Sequence, residues 1–182
     1  MKKAIFAALV LFLAVQAIVV AQPAPRPLYI AEIGGQNRVY KIPGQGTGML
    51  QSYTAFVAAA DEADAARQGY NGRFIRWIPQ AQYTAEHYKI LANGYNERYQ
   101  YDNAIDNANK AIKLNLDKLD IATASAYTER GIAYMGKGNY RQASADYKKA
   151  SEMFDVLPYS GVKYAALIRQ EILYDELKKK GY

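Results

Sequence analysis

The chain has 182 residues, with 23 Lys and Arg against 17 Asp and Glu, one His and no Cys. Without cysteine there is no disulfide framework, thiol nucleophile, iron–sulfur cluster or thiolate zinc site. A single histidine rules out multi-histidine metal centres and leaves little room for a Ser-His-Asp enzyme. Half of the residues are apolar and only 22% are charged, the composition of a folded chain and not of a disordered one.

Met1-Lys2-Lys3 precedes twelve apolar residues, Ala4 to Val15, followed by Gln16 and a further apolar run to Ala21. Two lysines stay inside while such a run enters the translocon, so residues 1–21 read as a signal peptide. Val19-Val20-Ala21 before Gln22 suits signal peptidase, with Ala17 as the second cleavage position. The absence of Cys excludes a lipid-anchored lipoprotein. Residues 4–21 also reach the ~18 residues of an uncleaved anchor, but Gln16, Pro23, Pro25 and Pro27 favour cleavage. The expectation is a periplasmic or secreted protein of residues 22–182, with the formal charge of +6 reduced by loss of Lys2 and Lys3.

Residues 22–46 read as an extended tether and a β-hairpin. QPAPRPL at 22–28 is proline-spaced, and Tyr29–Ile33 and Arg38–Ile42 flank a Gly34-Gly35-Gln36-Asn37 turn. This phrase resembles one strand pair of an NHL-type propeller blade, but it occurs once and a propeller needs several. Pro43 and the glycines at 44, 46 and 48 break the chain. Met49, Tyr53, Phe56, Ala60 and Ala63 then recur at spacings of three and four, which predicts a helix over 47–68 with Gly69 as its stop. Residues 70–80 form a connector that keeps neither period and contains Pro79. From Ala81 onward the pattern is almost continuously helical.

An internal repeat dominates residues 81–182. An offset of 39 aligns Tyr88 with Tyr127, Ala92 with Gly131, Tyr95 with Tyr134, Tyr101 with Tyr140, Ala104 with Ala143 and Ala111 with Ala150. Small residues at Ala92 and Ala104, and at Gly131 and Ala143, let paired antiparallel helices approach closely. The tyrosines, with Tyr147, fill the remaining wedges. The expected fold is all-α, a solenoid of helical hairpins with a small N-terminal β-hairpin. A capping helix over 161–182 carries Ala165, Ile168, Ile172 and Leu177, and the helix over 47–68 covers the other end.

These residues resemble the tetratricopeptide repeat family. Tyr101-Asp-Asn-Ala104-Ile-Asp-Asn-Ala-Asn-Lys-Ala111-Ile-Lys-Leu-Asn115 is similar to that family's second helix and exit, and Gly138-Asn139-Tyr140-Arg-Gln-Ala143 to its inter-helix turn. The likeness covers residues 85–157. Leu116 stands where the family commonly has proline, Arg130 replaces a usual leucine, and the copies lie further apart than the family's about 34 residues. The extra residues fall near Asp117–Thr123. The resemblance implies a concave surface that binds partner peptides. Glu86, Lys89, Asn93, Asn96 and Glu97, then Ser125, Thr128, Ile132 and Met135, project onto it. Lys89, Asn93, Asn96, Thr128, Ile132 and Met135 form the expected peptide-binding set. Lys89 and Asn93 resemble half of a clamp for a terminal carboxylate, with Glu129 where the clamp would use Asn.

Other constellations have blander readings. Gly131-Ile-Ala-Tyr-Met-Gly136-Lys137 is followed by Gly138 instead of the Ser or Thr of a phosphate-binding loop. Gly44-Gln-Gly46-Thr-Gly48 reads as a connector. His87 reads as a surface histidine, and Asp102, Asp106 and Lys110 as a solvated charge row. Glu171, Asp175 and Glu176 read likewise. Arg73-Phe74-Ile75-Arg76-Trp77 interleaves cations with aromatics and is expected to dock on the helices. The expectation is therefore a non-enzymatic exported adaptor for a protein or peptide in the bacterial envelope, with no cofactor, no metal and no nucleic-acid partner. The alternative is a structural envelope protein that binds anionic polymer or lipid through Arg73, Arg76 and the terminal lysines. Self-association stays open, because two repeats are few for a solenoid.

Overall fold

The computed structural model describes residues 26–42, 46–70, 72–116, 118–158 and 173–182. The leader with its cleavage positions, and Ala165, Ile168, Ile172 and Glu171 of the expected cap, lie outside the described residues. Side chains over 37–51 are likewise outside the description.

Two strands, β1 (Tyr29–Ile42) and β2 (Gly46–Ala59), pair antiparallel from Tyr29 opposite Ala59 to Ile42 opposite Gly46. After the short helix α1 (Glu62–Arg67), β3 (Arg73–Trp77) adds antiparallel to the other side of β1, giving the order β2-β1-β3. A 3-10 turn (Gln80–Gln82) leads to α2 (Ala85–Asn96), α3 (Tyr101–Leu114), α4 (Ile121–Gly136) and α5 (Tyr140–Val156). Residues 173–179 form a further helical segment, α6.

The all-α expectation is overturned. A three-stranded antiparallel sheet precedes the helices, so the protein is a mixed α and β structure and not an all-α solenoid. The helix expected over 47–68 is strand β2 followed by the six-residue α1. Tyr53 and Phe56 of its supposed buried stripe are each 40% exposed, while Ala55 and Val57 are buried. Thr54, Phe56 and Val57 suit a pleated surface, and a complete ladder with β1 outweighs a helical spacing that recurs by coincidence. The Gly34–Asn37 turn is likewise not a reversal: the register shifts between Ile33 and Gln36, a bulge inside a long strand. Residues 73–77, read as an aperiodic connector, are β3.

Among the described residues the sheet buries side chains on both faces with the period of two that a strand dictates. Leu28, Ile30 and Ala58, with Ile78, join Leu91, Tyr95, Ala104 and Ala133 of the helices in one core. Ala31, Ile33, Ala55, Val57 and Ala59 face the other way and pack with Ala65 of α1, Phe74 and Trp77. The Phe-Ile-Arg-Trp segment thus docks on the sheet and α1, not on the helical hairpins. At the entry to β1 the N–H of Leu28 donates to the Tyr95 hydroxyl at 2.9 Å and that of Ile30 to the Tyr83 hydroxyl at 3.1 Å. Tyrosines of the helical half thereby satisfy donors that the sheet leaves over.

The repeat is visible in the backbone. In the turn from α2 to α3 the N–H of Gln100 reaches the Tyr95 carbonyl at 2.9 Å, and in the turn from α4 to α5 that of Asn139 reaches the Tyr134 carbonyl at 2.8 Å. Each is a Schellman closure, and each needs a left-handed residue before its donor. The second turn uses Gly138 (φ 77°), whereas the first forces Tyr99 into φ 58°. The small positions Ala92, Ala104, Ala111, Ala143 and Ala150 are all fully buried. Gly131 makes a close approach to Tyr147: a Cβ there would sit 2.5 Å from the tyrosine ring. Positions equivalent to Gly131 and Tyr147 in the first hairpin are Ala92 and Ala108, a different split of the same space.

Tyr99 is 78% exposed, and glycine would lose little beyond its edge-on contact with the Tyr101 ring. Relief of a left-handed L-residue is worth ~1–2 kcal/mol, and glycine's extra chain entropy returns ~0.5–1 kcal/mol of that. Tyr99→Gly is therefore expected to raise unfolding stability by about 0.5–1 kcal/mol in urea titration. Gly138→Ala, with open space around it, should lower stability by a similar amount.

Candidate functional site

The six residues expected to bind peptide do not share one open groove. Lys89 pairs with Glu86 of its own helix at 2.6 Å. Asn96 is buried, and its amide donates to the Glu129 carbonyl at 2.8 Å and to Oε2 of Glu129 at 3.0 Å. The Asn93 amide reaches Oε1 of the same glutamate at 3.4 Å. Thr128 is buried with its hydroxyl donating back to Ala124. Ile132 and Met135 pack against the core formed by Ala143, Tyr147 and Leu177, beneath α6. Asn93, Asn96 and Glu129 thus lie in the seam between α2 and α4, while Ile132 and Met135 belong to the contact with the C-terminal segment.

Arg130, an odd residue at its repeat position, proves to be an anchor. Its Nε and one terminal nitrogen hold Asp146 of α5 at 2.8 and 2.7 Å, and the other terminal nitrogen holds Asn109 of α3 at 2.7 Å. The hydrogen bond to Asp146 raises its pKa against the opposing effect of burial, so it remains a guanidinium throughout. His87 is not the free surface residue expected. It caps α2 reciprocally with Thr84 and meets the Phe56 ring edge-on with centroids 5.0 Å apart. Burial lowers its pKa, the two neighbouring carboxylates of Glu86 and Glu32 opposing. Arg76 pairs with Glu32 at 2.8 Å, and Lys178 and Lys180 lie over the rings of Tyr174 and Tyr140. Among the described residues no group of three His, Asp or Glu is arranged to hold a metal.

Two adjoining hollows lie instead where α1 meets the start of β1. The first, about 570 Å³, is lined by Arg26, Arg67 and Arg98 with Asp61 and Asp64, and by Leu28, Ala60 and Gln100. Asp61 is the N-cap of α1, accepting the Asp64 N–H at 2.7 Å and Arg26 at 2.9 Å. Asp64 accepts Arg98 and the Ala60 N–H at 2.9 Å each, and Arg67 at 3.4 Å. Arg98 also closes the end of α2 through the Gly94 carbonyl at 2.7 Å. Arg26 and Arg67 stay 75% and 66% exposed, each holding its carboxylate through one nitrogen. Three guanidinium groups against two carboxylates leave a cationic excess able to take a further carboxylate or phosphate.

The second hollow, about 640 Å³, shares Ala60 and Asp61 with the first and adds Tyr29, Trp77, Glu62 and Ala63. Tyr29 meets Trp77 edge-on at 6.1 Å. Aromatic walls beside two carboxylates suit an apolar or cationic side chain. Sequence reasoning missed this place because its residues come from a tether, two strands, a six-residue helix and the end of α2. The one available signal was the mixture of cations and aromatics at 73–77, which supplies Trp77.

No protein-family model matches the chain, and no curated protein is similar to it. Among the described residues no helix is long and apolar enough to cross a membrane.

Burial pushes the Asp64 carboxyl up, but the Ala60 N–H and the guanidinium groups of Arg98 and Arg67 outweigh it and hold the pKa below its ordinary 3.8. A depressed carboxylate stabilises the fold above the unfolded value, and that share is lost as pH falls through 3.8 toward the folded value. Urea midpoints measured from about pH 5 down to about pH 3 should fall more steeply for the wild type than for Asp64→Asn.

Proposed function

We propose that this chain is a non-enzymatic exported adaptor of the tetratricopeptide-repeat type, binding a protein or peptide in the bacterial envelope. The leader pattern of residues 1–21 supports export. Two helical hairpins with matching Schellman turns and buried small residues at a 39-residue spacing support the repeat assignment. The observation that carries the binding reading is the pair of adjoining hollows around Asp61, one lined by arginines and the other by Tyr29 and Trp77. Such neighbours fit an extended segment with an acidic side chain toward Arg26 and Arg67 and an apolar or basic one toward Trp77. The seam residues Asn93, Asn96 and Glu129 support the stack of hairpins, leaving the partner to the sheet edge.

Two measurements test this. Protein recovered from an envelope fraction should have the mass of residues 22–182 or 18–182; an intact leader on a cytoplasmic protein rejects export. Crosslinking in cells should show one partner set that Arg67→Glu with Trp77→Ala removes at unchanged circular dichroism, while Lys89→Glu, remote from the hollows, retains it. A partner set indifferent to the first pair, or lost with Lys89→Glu alone, overturns this placement.

A further inference from the structure

The end of the hairpins where α3 finishes, α4 begins and α5 finishes holds a second kind of site. The connection from α3 to α4 is where the repeat spacing exceeds its expected length, and the surplus is put to use. Leu116 and Leu119 of that connection, with Tyr127 of α4 and Met153 of α5, wall a hollow of about 240 Å³. Ile112, Lys118 and Lys149 also belong to its wall, and among the described residues no carboxylate lines it. Thr123 also lines it and is only 3% exposed, yet among the described residues its hydroxyl has no hydrogen-bond partner. The backbone N–H of the same residue is held by Asp120 at 2.7 Å, so the residue is fixed while its hydroxyl is left over. A buried hydroxyl without a partner is an uncommon and unfavourable state that a polar ligand atom relieves. Leu116 and Leu119 of its wall are more than half exposed, as are Leu114 and Val156 at the ends of α3 and α5, so exposed apolar side chains are concentrated at this end of the hairpins.

We propose that this hollow takes the acyl chain of an anionic amphiphile, with the head group held by Lys118, Lys149 and the Thr123 hydroxyl. The volume corresponds to about eight waters of ~30 Å³ each, and a methylene group is of similar size. A single chain of about eight carbons therefore fits, whereas a cofactor or a two-chain lipid does not enter whole. The lysines can lay their own methylene stems along the leucines while keeping their charges at the mouth. Excess chain extends over Leu114 and Val156. The head group is a carboxylate on a free fatty acid or the phosphate of an anionic bilayer lipid.

Calorimetric titration of the full mature chain with monomeric hexanoate, octanoate and decanoate tests the idea. Affinity should rise about fourfold per methylene, levelling near octanoate, and methyl octanoate should bind at least about tenfold more weakly for want of the charge. Lys118→Gln with Lys149→Gln, both at the surface, should cut octanoate affinity about tenfold, and the isosteric Thr123→Val several-fold. Met153→Trp, which fills the hollow, should abolish it. Phosphatidylglycerol vesicles that bind the protein in competition with octanoate identify a bilayer source, and vesicles that do not identify a free acid. No octanoate binding, no dependence on chain length, or binding unchanged in the lysine pair overturns the proposal.

Discussion

Three consecutive residues of α4 fix how the helices sit on one another. Glu129 is buried and receives Asn96 and Asn93 of α2. Arg130 spans from Asn109 of α3 to the carboxylate of Asp146 on α5. Gly131 gives up its side chain so that the Tyr147 ring can lie against the α4 backbone. Successive helical positions point about 100° apart, which is why one short stretch can address three neighbours. Asp146 and Arg130 keep 8% and 21% of their side-chain surface. Removing one member of such a buried pair costs on the order of 3–5 kcal/mol, because the other is left charged and desolvated. The apolar ladder of small and large residues supplies the bulk attraction, but it is tolerant of sliding. Glu129, Arg130 and Gly131 together set one register.

That lock also explains how two hairpins suffice where solenoids ordinarily need more. Each end of a hairpin stack exposes an apolar face that must be covered. At the N-terminal end the cover is the sheet: a Cβ on Gly94 would lie 2.7 Å from that of Ala58, so α2 lies directly on β2. Tyr95 and Tyr83 extend the same contact by accepting the backbone N–H groups of Leu28, just before β1, and of Ile30 within it. At the other end Leu177 of α6 is fully buried against Ala143 and Tyr147. A sheet of three strands needs an apolar face to bury, and the helical half gives it a core on one face while α1 and Trp77 close the other.

How much of this was legible depended on whether the deciding contact was local. The hairpins could be read because helices write their packing into spacings of three and four, and duplication supplied a second copy to compare. Tyr88, Tyr95, Ala104 and their counterparts stand where that reasoning places them. Strand β2 could not be read, since Tyr53, Phe56 and Ala60 imitate a helical stripe and only the partner strand, residues earlier in the chain, decides otherwise. His87 was misjudged because its ring is covered by Phe56 of that same strand. Arg130 looked like a departure from a leucine position, and nothing in the spacing reveals that Asp146 and Asn109 converge on it. The two hollows around Asp61 assemble Arg26, Asp64, Arg67, Arg98 and Trp77, and apart from Asp64 and Arg67 on α1 these share no period.

A short array has a consequence for where chemistry can reside. In a long stack the polar residues of the first helices line a surface that only a ligand completes. Here the corresponding groups satisfy one another: Asn93 and Asn96 spend their donors on Glu129, Lys89 turns to Glu86, and α6 lies over Ile132 and Met135. With so few helices, the inner face is needed for cohesion. Within the seam Oδ1 of Asn96 stays without a partner among the described residues, and at the margins the guanidinium groups with exposed nitrogens beside the sheet and the Thr123 hydroxyl below the α3–α4 connection are left over. Both margins are built from segments that do not repeat, namely the strands with α1 and the long connection between the hairpins. The repeated parts hold the molecule together, and the unrepeated parts are left to distinguish it.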